Sequence, residues 1–142
     1  MKLKIAWIGK TKEPAIQALT DDYLKRLSRY AEVEAVVAKD EAALLSKGRE
    51  RHTLVLLDER GKQFSSEELA KFLGDYQDRN PLPLRFAIGP ADGFSAESRQ
   101  SAALVLSLSK MTLPHELARV VLLEQLYRAF TILKRHPYHI GH

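Results

Sequence analysis

The last third of the chain sets reactive groups in unusually apolar surroundings. Leu106-Ser107-Leu108-Ser109-Lys110-Met111-Thr112-Leu113-Pro114-His115 interleaves hydroxyls with leucines, Glu124 and Arg128 follow, and His136-Pro137-Tyr138-His139 comes near the end. Polar groups in such company are costly unless paired or used. Glu124 and Arg128 are four apart, in the order that favours an ion pair along one helix face. Leu117, Val120, Val121, Leu122, Leu123 and Leu126 surround them, and a helix apolar nearly all round is buried in a core or a subunit interface. The pair therefore reads as part of an interface and a site rather than as a surface contact.

Three other patterns raise chemical questions. His136, His139 and His142 are spaced as metal ligands could be, but the chain has no cysteine and Pro137 interrupts helical geometry among them. No metal site is expected; the tail is either flexible or reaches a substrate. Gly9-Lys10-Thr11 follows an apolar run as a phosphate loop would, yet that pattern needs a glycine where Lys4 stands, so a simple turn is expected. Ile88-Gly89-Pro90-Ala91-Asp92-Gly93 leaves a strand with glycines that permit close backbone approach. It fits a tight connection or a ligand loop equally well.

The elements that must position these groups follow from periodicity. Strands are expected at Lys2–Ile8, 33–37, 52–58, Leu84–Ile88 and 105–108. Helices are expected at 13–30, 41–47 with Gly48 as the stop, 65–76, about ten residues from Ser95, and 114–135 opened by Thr112 and Pro114. Ser65 with Glu68 makes a capping box. Arg60-Gly61-Lys62 is expected to turn the chain. The centre of the third strand, Leu54-Val55-Leu56-Leu57, does not alternate, which indicates cover on both faces and a parallel sheet. Alternating strands and helices predict one α/β domain over residues 1–142, a mostly parallel sheet flanked by helices. Ligands of such sheets bind beyond the carboxyl ends of strands.

Composition narrows the class. The 142 residues are 45% hydrophobic and 28% charged, ordinary for a folded domain. No apolar run reaches the roughly 20 residues that span a bilayer. The absence of cysteine excludes thiolate chemistry and fits a cytoplasmic protein. A formal charge of +4, scattered along the chain, is a weak pointer to a polyanion such as RNA.

Taken together, the motifs resemble the bacterial large-subunit rRNA pseudouridine N3-methyltransferase family, of the knotted SPOUT class. The resemblance is carried by Leu56-Leu57-Asp58-Glu59-Arg60-Gly61-Lys62, Ile88-Gly89 with Asp92-Gly93, Leu106-Ser107-Leu108-Ser109, Met111-Thr112-Leu113-Pro114-His115, Glu124-Gln125-Leu126-Tyr127-Arg128 and Pro137-Tyr138-His139. It implies a C-terminal deep trefoil knot, against the usual rule of unknotted chains, and a homodimer whose interface includes the last helix. It implies S-adenosylmethionine held at Leu57, Gly89, Leu108, Ser109, Lys110, Met111, Thr112 and Leu113. It further implies a pseudouridine substrate in 23S rRNA of the assembled ribosome. On that resemblance His139 sits against the base as proton acceptor or anion stabiliser. Tyr138 stacks on or hydrogen-bonds the nucleotide, and Arg128 holds a phosphate or an imide oxygen. The chain departs from the family at Pro90, where a second glycine is usual, and at Ile140, where a basic residue is usual. An alternative is a ribosome-binding or assembly factor that kept the fold without catalysis, and a third reading is a SPOUT enzyme with another RNA target.

Overall fold

The computed structural model describes residues 1–46, 50–90 and 92–140. Five strands, β1 (Lys2–Ile8), β2 (Glu32–Ala38), β3 (Thr53–Gln63), β4 (Leu84–Ile88) and β5 (Leu104–Ser107), form one sheet in the order β2-β1-β4-β3-β5. Every pairing is parallel. The helices are α1 (Pro14–Leu27), α2 (Glu41–Leu45), α3 (Ser66–Arg79), α4 (Ala96–Ser101) and α5 (His115–Leu133).

The period-2 geometry of a strand divides the core in two. Leu3, Ile5 and Trp7 of β1, with Val55, Leu57, Phe86 and Ile88, pack under Leu27 of α1, Leu69 and Leu73 of α3 and Leu122, Leu123 and Leu126 of α5. Ala6, Leu56 and Ala87 face the other way, with Leu44 of α2 and Phe94. Thus Leu54 to Leu57 lacks alternation because both of its faces are covered, as its composition indicates. β4 is buried at all five positions, which makes its carboxyl end a rigid platform.

Most elements fall within a few residues of expectation, and the differences have local causes. The capping box of α3 forms as predicted, Ser65 and Glu68 each accepting the other's backbone N–H. α3 runs on to Arg79, up to the proline-rich stretch, and α1 stops at Leu27 rather than residue 30. α4 has six residues instead of about ten. Gly48, the expected stop of α2, lies outside the described residues.

The expected turn at Arg60-Gly61-Lys62 is a correction. The chain leaves the ladder after Leu57 but rejoins it, Lys62 opposite Leu106 and Gln63 opposite Ser107, so β3 continues to Gln63. Gly61 makes this possible: a Cβ there would lie 2.7 Å from the Val105 main chain.

α1 has no side-chain cap of its own. Glu116, in the first turn of α5, instead anchors the approach to α1, Oε1 accepting from the N–H of Lys12 at 3.0 Å and of the N-cap residue Glu13 at 3.2 Å. The bond from Glu13, then that from Lys12, hold the Glu116 carboxyl below its ordinary range.

Candidate functional site

Where β3 leaves the ladder after Leu57, at the carboxyl end of β4 and beyond β5, lies a cavity of about 150 Å³. Leu57, Asp58, Glu59 and Arg60 line it from β3, Ile88, Gly89, Pro90, Asp92 and Gly93 from the end of β4 and the turn after it. Leu108, Ser109, Met111, Thr112, Leu113, His115 and Ala118 line it from the segment that enters α5. Seven of the eight residues assigned to the donor are therefore brought together; Lys110 is exposed and does not line the cavity.

Main-chain geometry builds much of this wall. A Cβ on Gly89 would meet the buried Phe94 ring at 2.6 Å, and Gly93 has φ +84° with its Cβ position 2.9 Å from Asp58 Oδ2. Asp58, itself buried, locks the two segments: Oδ1 accepts from the Arg60 N–H at 2.9 Å and Oδ2 from the Phe94 N–H at 3.0 Å. The Pro90 carbonyl accepts from the Gly93 N–H at 2.9 Å, closing the turn despite the proline. Ser107 Oγ donates to the Ser109 carbonyl, Ser109 Oγ accepts from the Met111 N–H, and Thr112 Oγ1 donates to Glu59 Oε2 across the cavity mouth. The serines and threonine of the apolar segment are thus used to shape its own loop.

Asp58, Glu59 and His115 were not singled out as site residues from sequence. Asp58 carried a signal, an acid directly after an apolar strand. His115 carried none beyond its place after Pro114.

The second constellation is made of side chains. Arg128 forms a forked pair with Glu124, Nη2 to Oε2 at 2.9 Å and Nε to both oxygens at 3.2 and 3.3 Å. Tyr138 donates its hydroxyl to the same Glu124 Oε2 at 2.8 Å. Its ring meets Tyr127 edge-on at 4.8 Å and lies under the Arg128 guanidinium at 5.0 Å. Burial first, with hydrogen bonds to Tyr23 and Glu124, pushes the Tyr138 phenol well above its ordinary value, so it acts as a neutral donor. His139 Nδ1 is 3.0 Å from Arg128 Nη1 and its Nε2 is 2.8 Å from Glu67 Oε1. Arginine can only donate, so Nδ1 accepts and Nε2 carries the proton given to Glu67.

His136 has a different partner, Nδ1 accepting from the Tyr138 N–H at 3.2 Å. His142 lies outside the described residues. The described residues contain no group of three or more His, Cys, Asp or Glu side chains placed to hold a metal ion, and no helix long and apolar enough to cross a membrane.

α5 connects the two regions. Its apolar girth is mostly consumed within the chain, Leu122, Leu123, Leu126, Ala129 and Phe130 all being buried, while Leu117 and Leu133 remain exposed. Arg128 stands ten residues beyond Ala118 of the cavity wall, about 15 Å along the helix axis, and none of Glu124, Arg128, Tyr138 and His139 lines the cavity.

Comparison with known proteins decides the family. A profile of the family described as Predicted SPOUT methyltransferase matches residues 1–139. The chain belongs to the SPOUT methyltransferase family. Ribosomal RNA large subunit methyltransferase H of Koribacter versatilis is 62% identical over the full length of both chains. The proteins of that name from Geotalea daltonii and Geobacter sulfurreducens are each 44% identical, covering 98% of this chain and 99% of their own. Among solved structures, a probable methylase family protein from Haemophilus influenzae superposes with a TM-score of 0.58 over 97% of this chain and 69% of that one. At 12% identity that likeness speaks to the fold alone. As a SPOUT methyltransferase the chain is an enzyme that needs a methyl donor.

Proposed function

We propose that this enzyme methylates N3 of a pseudouridine in large-subunit rRNA, using S-adenosylmethionine, on assembled ribosomes in the cytoplasm. The observation that carries the reading is the convergence of Leu57, Gly89, Leu108, Ser109, Met111, Thr112 and Leu113 on one cavity. The fit is chemical as well as positional. Leucines and Met111 offer apolar walls, glycines leave main-chain groups reachable, and Ser109 and Thr112 already hold the loop in shape. When bound, S-adenosylmethionine supplies an electrophilic methyl group on a sulfonium.

The protein's own part is to hold the base and take its proton. An imide nitrogen attacks well only as it loses its proton, and orientation alone can account for much of the acceleration. Glu124 keeps Arg128 fixed with its guanidinium presented toward His139, where it can stabilise an imide anion. His139 accepts at Nδ1 and donates at Nε2, so it becomes a base only when substrate displaces the Arg128 N–H. Such a base contributes roughly 10²–10⁴-fold. Tyr138, its hydroxyl given to Glu124 and its ring under the guanidinium, braces Arg128 where the nucleotide would lie.

Because the cluster does not reach the cavity of its own chain, we infer a homodimer in which the tail of one copy serves the cavity of the other. Exposed Met111, Leu117, Leu133 and Ile140 support an apolar meeting face. The C-terminal knot is supported in the same spirit by β3 arching out at Asp58 and closing on the β5 main chain at Gly61.

The test is methyl transfer to ribosomes lacking the modification, compared with free rRNA, with the product nucleotide mapped by mass spectrometry. His139→Ala should bind the donor normally and lose turnover. Mixing it with a variant blocked at the cavity should restore part of that turnover through mixed dimers. No methyl incorporation by the folded protein would end the proposal, and no restoration would end the shared-site arrangement.

A further inference from the structure

His115 and Arg119 open α5 four residues apart, so they share one face of its first turns. Arg119 is 2% exposed, yet among the described residues no carboxylate lies within hydrogen-bond reach. Its Nη1 donates to Thr11 Oγ1 at 2.9 Å, and its Nη2 donates to the carbonyls of Ile8 at 3.0 Å and Gly9 at 3.3 Å. The guanidinium lies over the Trp7 ring at 5.0 Å. A buried cation with only neutral partners is expensive compared with an apolar residue of the same volume, so its retention asks for a use.

The use lies in its remaining contact. Arg119 Nη2 is 3.0 Å from His115 Nδ1, and a guanidinium has no lone pair to offer. Nδ1 must accept, which fixes His115 as the neutral form with its proton on Nε2. That Nε2 is buried and makes no hydrogen bond of acceptable distance and angle. The carbonyls of Ile88 and Gly89 lie close enough to favour its proton. Ile88, Gly89 and His115 are all walls of the cavity. A buried N–H beside two strand-end carbonyls, without a well-formed bond to either, is a contact the fold leaves open.

We propose that His115 is a positioning residue for the methyl-donor cavity: Arg119 sets its tautomer from the end of β1, and the Nε2–H so fixed closes onto the Ile88–Gly89 main chain when the donor is bound. The inference rests on the reading of this cavity as the donor site. It would join the ends of β1 and β4 through one turn of α5. Protonation of His115 would place two donors face to face across a 3.0 Å gap and release the imidazole from Arg119.

Two measurements separate this from simple packing. In the ligand-free protein, nitrogen-15 histidine spectra should show His115 as the Nε2–H tautomer, assigned by its loss in His115→Gln; the Nδ1–H form would overturn the proposal. Calorimetric titration with S-adenosylhomocysteine should show binding about tenfold weaker for His115→Phe, which keeps the ring and loses the donor. His115→Gln, which can place an amide N–H where Nε2 was, should stay within about threefold of the parent. The KM for the methyl donor should rise more than kcat falls. Equal losses in both variants, or none in His115→Phe, would overturn the assignment. Should His115→Phe fail to fold, the parent must still lose affinity as pH falls through the histidine range while His115→Gln does not; parallel profiles would refute it. Failure of the parent itself to bind would instead strike the cavity reading.

Discussion

The donor cavity and the tail cluster are built by opposite means. The cavity is shaped by main chain: Gly89 and Gly93 where a Cβ would collide, carbonyls at strand ends, and Asp58 gripping two N–H groups. The tail cluster is side chain throughout, with Glu124, Arg128, Tyr138, His139 and Glu67 joined in one chain of charge-assisted bonds. A site of the first kind tolerates changes of side-chain type but not of backbone space. A site of the second kind responds to the loss of a single charge. The contrast suits the proposed reading, in which the cavity binds the methyl donor and the tail cluster handles the nucleotide.

The sharpest test of that contrast is Gly89→Ala. Its new methyl would sit 2.6 Å from the Phe94 ring, which is 2% exposed and tied by its N–H to Asp58. Overpacking of this sort costs about 1–3 kcal/mol, and the wall it displaces is the one proposed for the donor. Donor affinity should fall by about fivefold to about 150-fold by calorimetry, given that range; near-parent affinity would show that backbone space does not define this half. Glu124→Gln should do the reverse. It removes the charge from Arg128's forked partner and weakens the bond from Tyr138, so methyl transfer to ribosomes should drop more than about tenfold, as loss of a charge-assisted bond implies. Donor affinity should stay within about twofold, as expected for a distant site. Loss of donor binding in this variant would join the two halves that the comparison separates.

A third test uses protons. Burial first, and then the neighbouring Arg119 cation, depress the His115 imidazole below the ordinary 6.5, with Glu116 and the Ile88 and Gly89 carbonyls opposing in part. A histidine lowered by folding contributes stability that is complete above its unfolded value and is lost as pH falls from about 6.5 through the folded value. Thermal melts should therefore weaken on the acid side of 6.5 before the carboxylates of Glu50, Glu67 and Glu116, all lowered from 4.5, come into play. His115→Gln should flatten that first limb. The smallest effect is expected from Pro90→Gly. Pro90 already closes its turn through the Gly93 N–H, so restoring an N–H donor there should tighten donor binding by no more than about tenfold, the worth of one hydrogen bond. Weaker binding would mean that the fixed φ of proline is an asset.

Much of this was legible in the chain. The apolar stretch Leu54 to Leu57 announced a doubly covered parallel strand, and Ser65 with Glu68 announced the start of α3. The place of the cavity was legible, because ligands of a parallel sheet bind beyond its strand ends; the individual residues expected at the donor came from the family resemblance. What could not be read were long-range pairings. Nothing local tells that Gly61 is needed for the Val105 main chain, that Asp58 grips the Phe94 N–H, or that Arg119 reaches the carbonyls of Ile8 and Gly9. The apolar girth of α5, which fits a core or a subunit interface, is absorbed mostly by the chain's own sheet, α1 and α3.

The carboxylate of Glu116 that anchors the approach to α1 has a bearing on how the molecule is made. The two amides it serves leave the ribosome about a hundred residues earlier, because Lys12 and Glu13 are 104 and 103 positions upstream. Until the final helix emerges, the segment entering the first lacks this anchor. Contacts so distant in sequence slow folding, so a nascent chain cut short before Glu116 would leave a loosened amino-terminal third exposed to proteases.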